Sequence, residues 1–146
     1  MAYPSTQQIK DIFQAGESGS DGFMKHVDAN VVIDIVGHDH ELSHKGKGAD
    51  SLKDNHFAEF ENMLDFSKPN QLDIIRVIGG GDSSWACVEV KAAAKTKKGK
   101  EFNNECCFVI NFNKEGKIVE LRAYYDSEHV NGHIKEHKGQ SGGKKN

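Results

Sequence analysis

The chain has 146 residues and a formal net charge of −3 at pH 7, which suits one domain with one hydrophobic core and gives no electrostatic basis for binding nucleic acid. No apolar run reaches the length of a membrane-spanning helix, and the first residues lack a charged-then-apolar signal pattern. We therefore expect a soluble, cytoplasmic protein without a nucleic-acid or membrane partner.

Three cysteines lie in segments that are predicted to be strands. Cys106 and Cys107 are adjacent, so their side chains point to opposite faces of a strand and are poorly placed to pair with each other. Together with Cys87 they show neither a disulfide framework nor a zinc spacing. We interpret them as small buried residues.

Two short helices are predicted at the start of the chain. Ser5 or Thr6 can cap the first, and Asp21 can cap the second after a glycine-rich turn at residues 16–22. Each helix has one apolar stripe with i, i+3, i+4 spacing, so both are predicted to lie across a sheet.

The next segment, 31–36, is a predicted strand that is apolar except for Asp34. We expect both faces of this strand to be buried and the carboxylate to be desolvated. Burial without a counter-charge raises a carboxyl pKa and suits the group to proton transfer. The alternative is an edge-strand carboxylate that reaches solvent or a backbone amide.

A histidine-rich loop follows this strand. If the strand continues, His38 and His40 point in the same direction as Asp34, and either could exchange a proton with it near neutral pH. Together with His44 they could instead bind a metal ion, although a His-x-His pattern is weak evidence. A polar loop with neither role remains the third possibility.

A third helix is predicted from Asp50 or Ser51 to about Asp65. Its apolar stripe contains Phe57 and also His56, which could reach a pocket but which we interpret as a packed or surface residue. A strand at 72–78 and glycines 79–81 follow. Because the glycines precede a strand rather than a helix, they predict no phosphate site.

The segment from Trp85 to 125 is predicted to form three antiparallel strands, at 85–96, 101–113 and 117–125, with turns at Gly99 and Gly116. Side chains alternate between the two faces of each strand. Apolar walls with a few directed polar groups suit a small-molecule pocket, and an ordinary half-buried sheet would show the same alternation. The substrate-binding candidates are Asn104, Phe108, Tyr125, Phe57, Trp85 and Cys106.

The charged residues of this segment lie mostly on the opposite face. We expect pairs such as Glu89 or Glu105 with Arg122 on an exposed or dimer-forming surface. Arg122 and Asp126 also remain catalytic candidates, because a bulge or a strand end can turn a side chain inward. Residues 131–146 are rich in glycine, lysine and polar side chains, so the domain is predicted to span 1–130 and the rest to be a disordered tail.

The order of elements predicts an α+β fold: N-terminal helices pack on a curved, mainly antiparallel sheet that forms a cone with a pocket. The sequence resembles the SnoaL-like branch of the nuclear-transport-factor-2-like superfamily. The residues that resemble it are 88–90, 97–100, 102–105, 107–110 and especially 116–126. Residues 32–37 also resemble the strand of ketosteroid isomerases that contains their general base, which places Asp34 in that position.

The resemblance implies a cone-shaped pocket, a homodimer and no cofactor. Relatives include polyketide cyclases, ketosteroid isomerases, epoxide hydrolases, dehydratases and isomerases, but also non-enzymatic binding and transport modules. Phe108 stands where ketosteroid isomerases have an oxyanion-hole Asp, and Ala123 stands where epoxide hydrolases have an acid. We therefore do not expect those two activities. His40 matches a histidine that is common in the family's loop.

The expected function is cofactor-independent acid–base catalysis by an isomerase, cyclase, dehydratase or hydrolase. The substrate would be a hydrophobic oxygenated molecule such as a polyketide or terpenoid intermediate. Asp34 would be the base, His40 or His38 its acid partner, and Asn104 and Tyr125 would orient a carbonyl or hydroxyl. A non-catalytic binding or dimerisation module and a histidine-ligated metal enzyme are the alternatives.

Overall fold

The structure is a computed structural model that describes residues 2–139. In chain order its elements are α1 (Thr6–Gln14), α2 (Asp21–Met24), β1 (Val27–Ile35), β2 (His44–Lys47), α3 (Ala49–Ser51), a π-helical segment (Leu52–Phe57), α4 (Ala58–Met63), β3 (Gln71–Gly79), β4 (Trp85–Lys95), β5 (Glu101–Phe112), β6 (Ile118–Tyr124) and α5 (Ser127–His137). No helix among these residues is both long and apolar enough to cross a membrane.

The six strands form one sheet in the order β2-β1-β6-β5-β4-β3. Neighbouring strands are antiparallel except β1 and β6, which are parallel. The helices pack on one face, where Phe13 of α1 contacts Phe108 and Phe60 of α4 contacts Phe102. We call this the inner face and the opposite one the outer face. The predicted α+β architecture with a curved, mainly antiparallel sheet is confirmed.

The local signals for α1 and the three-stranded segment produced the predicted elements. Ser5 accepts a hydrogen bond from the backbone N–H of Gln8, whose side chain accepts one from Ser5 N–H, so α1 begins with a capping box. Gly99 and Gly116 adopt φ values of +82° and +80° at the turns that join β4, β5 and β6. On β5 the inner-face residues Phe102, Asn104, Phe108, Ile110 and Phe112 are buried, as the alternation predicted.

Strand β1 differs from its prediction because only one of its faces is buried. Val31, Ile33 and Ile35 are at most 1% exposed, whereas Val32 is 48% exposed. The residues of β1 therefore alternate between the core and the outer face, and the expectation of burial on both faces is wrong. Its edge neighbour β2 lies in the predicted histidine-rich loop, where backbone pairing with β1 forms a polar edge strand.

The predicted disordered tail begins with a helix. Helix α5 runs from Ser127 to His137, and the Asp126 carboxylate at its N-cap accepts a hydrogen bond from His129 N–H at 3.4 Å. Val130 and Ile134 are four residues apart and each is 1% exposed. Their burial outweighs the low helix propensity of Gly132. The predicted domain boundary at residue 130 is therefore wrong, and residues 140–146 lie outside the described residues.

The glycines between β3 and β4 have a packing role. Gly81 N–H donates to the Pro4 carbonyl at 2.7 Å, which joins this turn to the segment before α1. Gly80 has a φ of +83°, and a Cβ there would lie 2.7 Å from Ile9 Cδ1 and 2.8 Å from the Pro4 oxygen. The turn therefore needs a residue that tolerates positive φ and has no side chain.

We predict that Gly80→Ala destabilises the protein more than Gly99→Ala. Both substitutions place a Cβ at positive φ, which costs about 1–2 kcal/mol. Only Gly80→Ala adds a steric clash, because a Cβ at Gly99 would meet nothing within 4 Å. The clash should cost about 1–3 kcal/mol more. Urea unfolding of both variants measures the difference, and equal losses would contradict the packing role.

Candidate functional site

A cavity of about 170 Å³ lies between the helices and the inner face of the sheet. Its walls are mainly aromatic and aliphatic side chains from α1, α2, the π-helical segment, α4, β4 and β5. The polar residues that line it include Asn104, Tyr125, Glu17 and Glu61. An apolar cavity with a few polar groups is the usual form of a small-molecule site.

The aromatic side chains of the cavity contact one another in series. The Phe13 and Phe108 rings lie 5.3 Å apart, and Phe108 meets Tyr125 edge-on at 5.8 Å. Tyr125 also contacts Phe60, at 5.6 Å. These edge and tilted contacts stabilise aromatic pairs. They hold the Tyr125 ring in one position in the wall.

Tyr125 forms a hydrogen bond with His56, the histidine of the predicted apolar stripe for which a packed or surface position was favoured over a pocket position. The Tyr125 hydroxyl lies 2.7 Å from His56 Nε2, and His56 is 1% exposed. His56 belongs to the π-helical segment, a conformation that is frequent at functional sites. The only sequence signal for this role is a titratable residue on an otherwise apolar stripe.

Both members of this pair remain neutral near pH 7. Burial, with smaller contributions from His44 and His40, lowers the pKa of His56 to about 3. Burial also raises the pKa of Tyr125 well above its usual value. The pair therefore provides hydrogen-bonding groups without a charge.

Asn104 supplies an unpaired polar group to the same cavity. Its side chain is 3% exposed, and its Oδ1 atom has no hydrogen-bond partner among residues 2–139. An unpaired buried polar atom costs about 1–3 kcal/mol, which a bound ligand or water would recover. Asn104 and Tyr125 thus both line the cavity, and their role in binding a substrate stays a prediction.

Two carboxylates that sequence analysis did not identify also line the cavity. Glu61 Oε2 accepts hydrogen bonds from Ser20 N–H and Oγ–H, both at 2.8 Å, and Glu17 Oε2 accepts one from Leu72 N–H at 2.8 Å. Both glutamates are half-buried. Glu61 follows Phe57 by four residues and so lies on the same side of the helix as the apolar stripe. This spacing is the sequence signal that could have placed Glu61 in the cavity wall.

Asp34 lies outside the cavity. Because Ile33 and Ile35 face the core, the side chain between them points to the outer face. There Asp34 Oδ2 lies 3.6 Å from Arg122 Nη2, and the Asp34 side chain is 22% exposed. Neither residue lines the cavity. The expectation that a desolvated Asp34 shares a hollow with a histidine is therefore wrong.

None of the three loop histidines lines the cavity. His38 is exposed. His40 Nε2 lies 2.8 Å from the Val36 carbonyl, to which it can donate, and His44 Nε2 lies 3.3 Å from Ser51 Oγ. No cluster of three or more metal-ligating side chains occurs within residues 2–139.

The remaining site candidates divide between the cavity and the surface. Phe57, Cys106 and Phe108 line the cavity as predicted, whereas Trp85 lies on the outer face and is 44% exposed. Asp126 caps α5 and is exposed. Burial raises the pKa of Cys106 to about 12, so its thiol stays protonated and suits packing better than nucleophilic attack.

We predict that acid destabilises the protein partly through His56. The unfolded chain binds a proton at His56 below its ordinary pKa of 6.5, whereas the folded chain binds it only below about 3. Between these values the unfolded state holds more protons, so the free energy of unfolding falls as the pH falls. From pH 7 to pH 4 the wild type should lose on the order of 3 kcal/mol more than His56→Phe.

Urea unfolding at both pH values measures this difference. His38→Gln is the control, because His38 is exposed and its replacement should leave the wild-type loss unchanged. His26 and His133, whose pKa values are also lowered, contribute equally in all three proteins. If His56→Phe and the wild type lose the same stability, the histidine is not held neutral by burial.

Comparison with known proteins places this geometry in a familiar architecture. The chain matches no family model. The dimerizing cyclase phiC of Fungal sp. (strain ATCC 74256) is 27% identical over 130 residues, which are 88% of this chain and 56% of that protein. The chain thus spans little more than half the length of this relative.

Solved structures with the same architecture include Bal32a from a soil-derived mobile gene cassette, with a TM-score of 0.68 and 16% identity over 86% of this chain and 92% of that one. SalBIII is an epoxide hydrolase/cyclase-like enzyme with a role in pyran ring formation in the polyether salinomycin. It has a TM-score of 0.60 and 17% identity, over 84% of this chain and 94% of that one. An NTF2-like protein from Anabaena variabilis ATCC 29413 has a TM-score of 0.65 and 15% identity, over 85% of this chain and 88% of that one. The chain therefore has the nuclear-transport-factor-2-like fold that its sequence predicted.

Proposed function

We propose that the protein is a cofactor-independent acid–base enzyme of the cyclase or isomerase type. Its substrate is a hydrophobic, oxygenated small molecule, such as a polyketide or terpenoid intermediate, that binds in the cavity. The proposal rests on one observation: an apolar cavity is lined by a neutral phenol, an unpaired amide and two carboxylates. Such a set can hold an oxygen atom and move a proton.

In the proposed reaction, Tyr125 donates a hydrogen bond to a carbonyl oxygen of the substrate. The proton of the adjacent C–H bond passes to Glu61, and the C–H bonding electrons form the enolate that Tyr125 stabilises. The described hydrogen bonds of Glu61 all go to Oε2, so Oε1 is the oxygen assigned to accept the proton. Return of this proton to another carbon isomerises the substrate. Alternatively, the enolate carbon attacks a second carbonyl carbon, the C=O π electrons move to its oxygen, and that oxygen takes the proton back from Glu61, which cyclises the substrate.

The comparisons support this choice of reaction class. The fungal relative is named as a cyclase, and SalBIII is described as epoxide hydrolase/cyclase-like. Acid–base groups in an apolar pocket suffice for such chemistry, because proton transfer by a positioned side chain accelerates a reaction about 10²–10⁴-fold. The residues assigned to it here replace the predicted Asp34 and His40 pair, which lies outside the cavity.

We predict that the protein catalyses hydrogen–deuterium exchange at the enolisable carbons of small neutral ketones, with 2-tetralone and phenylacetone as probes in D₂O. Glu61→Gln should lower the catalysed rate by at least about 100-fold, because it removes the base. Tyr125→Phe should lower it by about 100-fold, because it removes an oxyanion donor. Proton NMR of the ketone measures the exchange.

Two neighbouring substitutions, Glu59→Gln and Tyr124→Phe, are the controls for this experiment. Glu59 lies on the same helix as Glu61 but pairs with Lys138 at the surface, and Tyr124 lies on the outer face of the sheet. Both should retain the wild-type rate. Ketone binding without exchange above the buffer rate would contradict catalysis and favour a non-catalytic binding module. Loss of exchange in Asp34→Asn but not in Glu61→Gln would contradict the choice of base.

We also propose that the protein forms a homodimer through the outer face of the sheet. Trp85 and Tyr124 are 44% and 41% exposed, and Ile78 on the adjacent strand β3 is 58% exposed. The Asp34–Arg122 pair lies on the same face. An exposed apolar surface with paired charges of both signs suits contact with a second copy of itself.

We predict a solution mass of twice 16.2 kDa for the wild type and a monomer for Trp85→Glu. A carboxylate in place of Trp85 would be desolvated without a partner when two outer faces meet, which disfavours association. Phe66→Glu is the control, because Phe66 is 39% exposed but lies beside the cavity. Light scattering measures the mass, and a monomeric wild type would contradict the dimer.

A further inference from the structure

The hydrogen bond between His56 and Tyr125 can have either of two directions. A neutral imidazole has one N–H group, on Nδ1 or on Nε2. If Nε2 is protonated, it donates to the Tyr125 oxygen and the phenolic proton is free. If Nδ1 is protonated, Nε2 accepts the phenolic proton and Tyr125 can offer only lone pairs to a ligand. The first arrangement favours a ligand that accepts a hydrogen bond from Tyr125, and the second favours a ligand that donates one to it.

The surroundings of His56 distinguish these arrangements. His56 Nδ1 is buried and has no hydrogen-bond partner within the described part of the chain. An N–H at this atom would be an enclosed, unpaired donor, which is rarer in folded proteins than the unpaired acceptor that an unprotonated Nδ1 would be. With the proton on Nε2, the donor that still needs a partner is the Tyr125 hydroxyl, and Tyr125 borders the cavity. A ligand or a water molecule there can accept it.

We infer that His56 is a positioning residue whose Nε2–H donates to Tyr125 and directs the phenolic proton into the cavity, which makes the cavity selective for a neutral carbonyl compound. This inference deepens the proposed function and uses the same cavity. It names the hydrogen bond that the ligand must accept. It also assigns His56 a role in that selectivity without contact with the ligand.

The other lining residues exclude charged ligands of one sign. Among residues 2–139 no lysine, arginine or histidine lines the cavity, so no cation is present to pair with a carboxylate or phosphate. Glu17 and Glu61 would repel an anion. The unpaired atom of Asn104 is the acceptor Oδ1, which can take a hydrogen bond from a ligand hydroxyl or a water molecule but not from a carbonyl group. A neutral carbonyl compound with an apolar body fits this set better than an acid or a phosphate ester.

The volume of the cavity guides the choice of a small probe. A volume of about 170 Å³ equals that of five or six water molecules at about 30 Å³ each. A single aromatic ring with a short carbonyl substituent is of this order. Acetophenone is therefore a suitable probe, and α-methylstyrene is its isostere in which a CH₂ group replaces the carbonyl oxygen.

The first measurement determines the position of the imidazole proton. Long-range proton–nitrogen NMR spectra of ¹⁵N-labelled protein at pH 7 report which ring nitrogen of each histidine is protonated, and His56→Gln identifies the His56 signals by their loss. We expect a protonated Nε2 and an unprotonated Nδ1. A protonated Nδ1 would overturn the inference.

The second measurement tests the ligand preference. We compare the dissociation constant of acetophenone with that of α-methylstyrene in each variant, so that a general change in cavity packing cancels. Tyr125→Phe should weaken acetophenone relative to its isostere by about threefold to tenfold, the value of one neutral hydrogen bond. Tyr124→Phe should leave the ratio unchanged, and benzoate should not compete.

Replacement of His56 distinguishes positioning from packing. His56→Gln retains an N–H donor at the end of the side chain and should keep the wild-type ratio of the two dissociation constants. His56→Phe retains only the volume of the side chain and should weaken the binding of acetophenone relative to that of α-methylstyrene. If His56→Phe instead strengthens relative acetophenone binding, then His56 held the phenolic proton and the inference is wrong. Urea unfolding confirms that each variant is folded.

These measurements use binding and spectra rather than turnover. If the ketone exchange reaction fails while the acetophenone preference and the Nε2 proton are found, the proposed catalysis is wrong and the carbonyl site stands. If exchange occurs but Tyr125→Phe leaves the binding ratio unchanged, the carbonyl preference is wrong and catalysis stands.

Discussion

The alternation of side chains across one sheet is the constraint on which the site depends. A strand residue faces either the helices or the opposite side, and a shift of one residue would reverse every assignment. On β5 this places Asn104 and Phe108 in the cavity wall. On β1 it places Ile33 in the core and Asp34 on the outer face beside Arg122. Strand parity therefore decides which residues of the sheet can meet a ligand.

The second determinant is the contact between the π-helical segment and the residue that follows β6. His56 and Tyr125 are 69 positions apart, yet their side chains form a 2.7 Å hydrogen bond inside the protein. Burial makes that bond a neutral one, because it disfavours both the imidazolium and the phenolate. The site can thus present a hydrogen-bond donor to an apolar ligand without the desolvation cost of a buried charge.

Sequence reasoning identified the parts of the site whose signals are local. The period-two pattern of β5 predicted that Asn104, Cys106 and Phe108 share a face, and the structure places all three in the cavity. Sequence reasoning failed where the role of a residue depends on a contact with a residue that is far away in the chain. Glu61 and His56 lie on a helical stripe that reads as core, and only the opposing elements, Ser20 and Tyr125, show what they bind. Helix α5 was missed because the segment is rich in glycine and polar residues, and the burial of Val130 and Ile134 against the domain outweighs this unfavourable composition.

By itself the sequence determined the α+β class, the strands and turns of the C-terminal half and the two faces of each strand. These follow from hydrophobic periodicity and from glycines at turns, which act between near neighbours in the chain. Only the tertiary structure decided which face of β1 meets the core and which titratable groups meet the cavity. The reason is physical: periodicity separates two faces of a strand, but burial and hydrogen-bond partners depend on the elements that pack against each face.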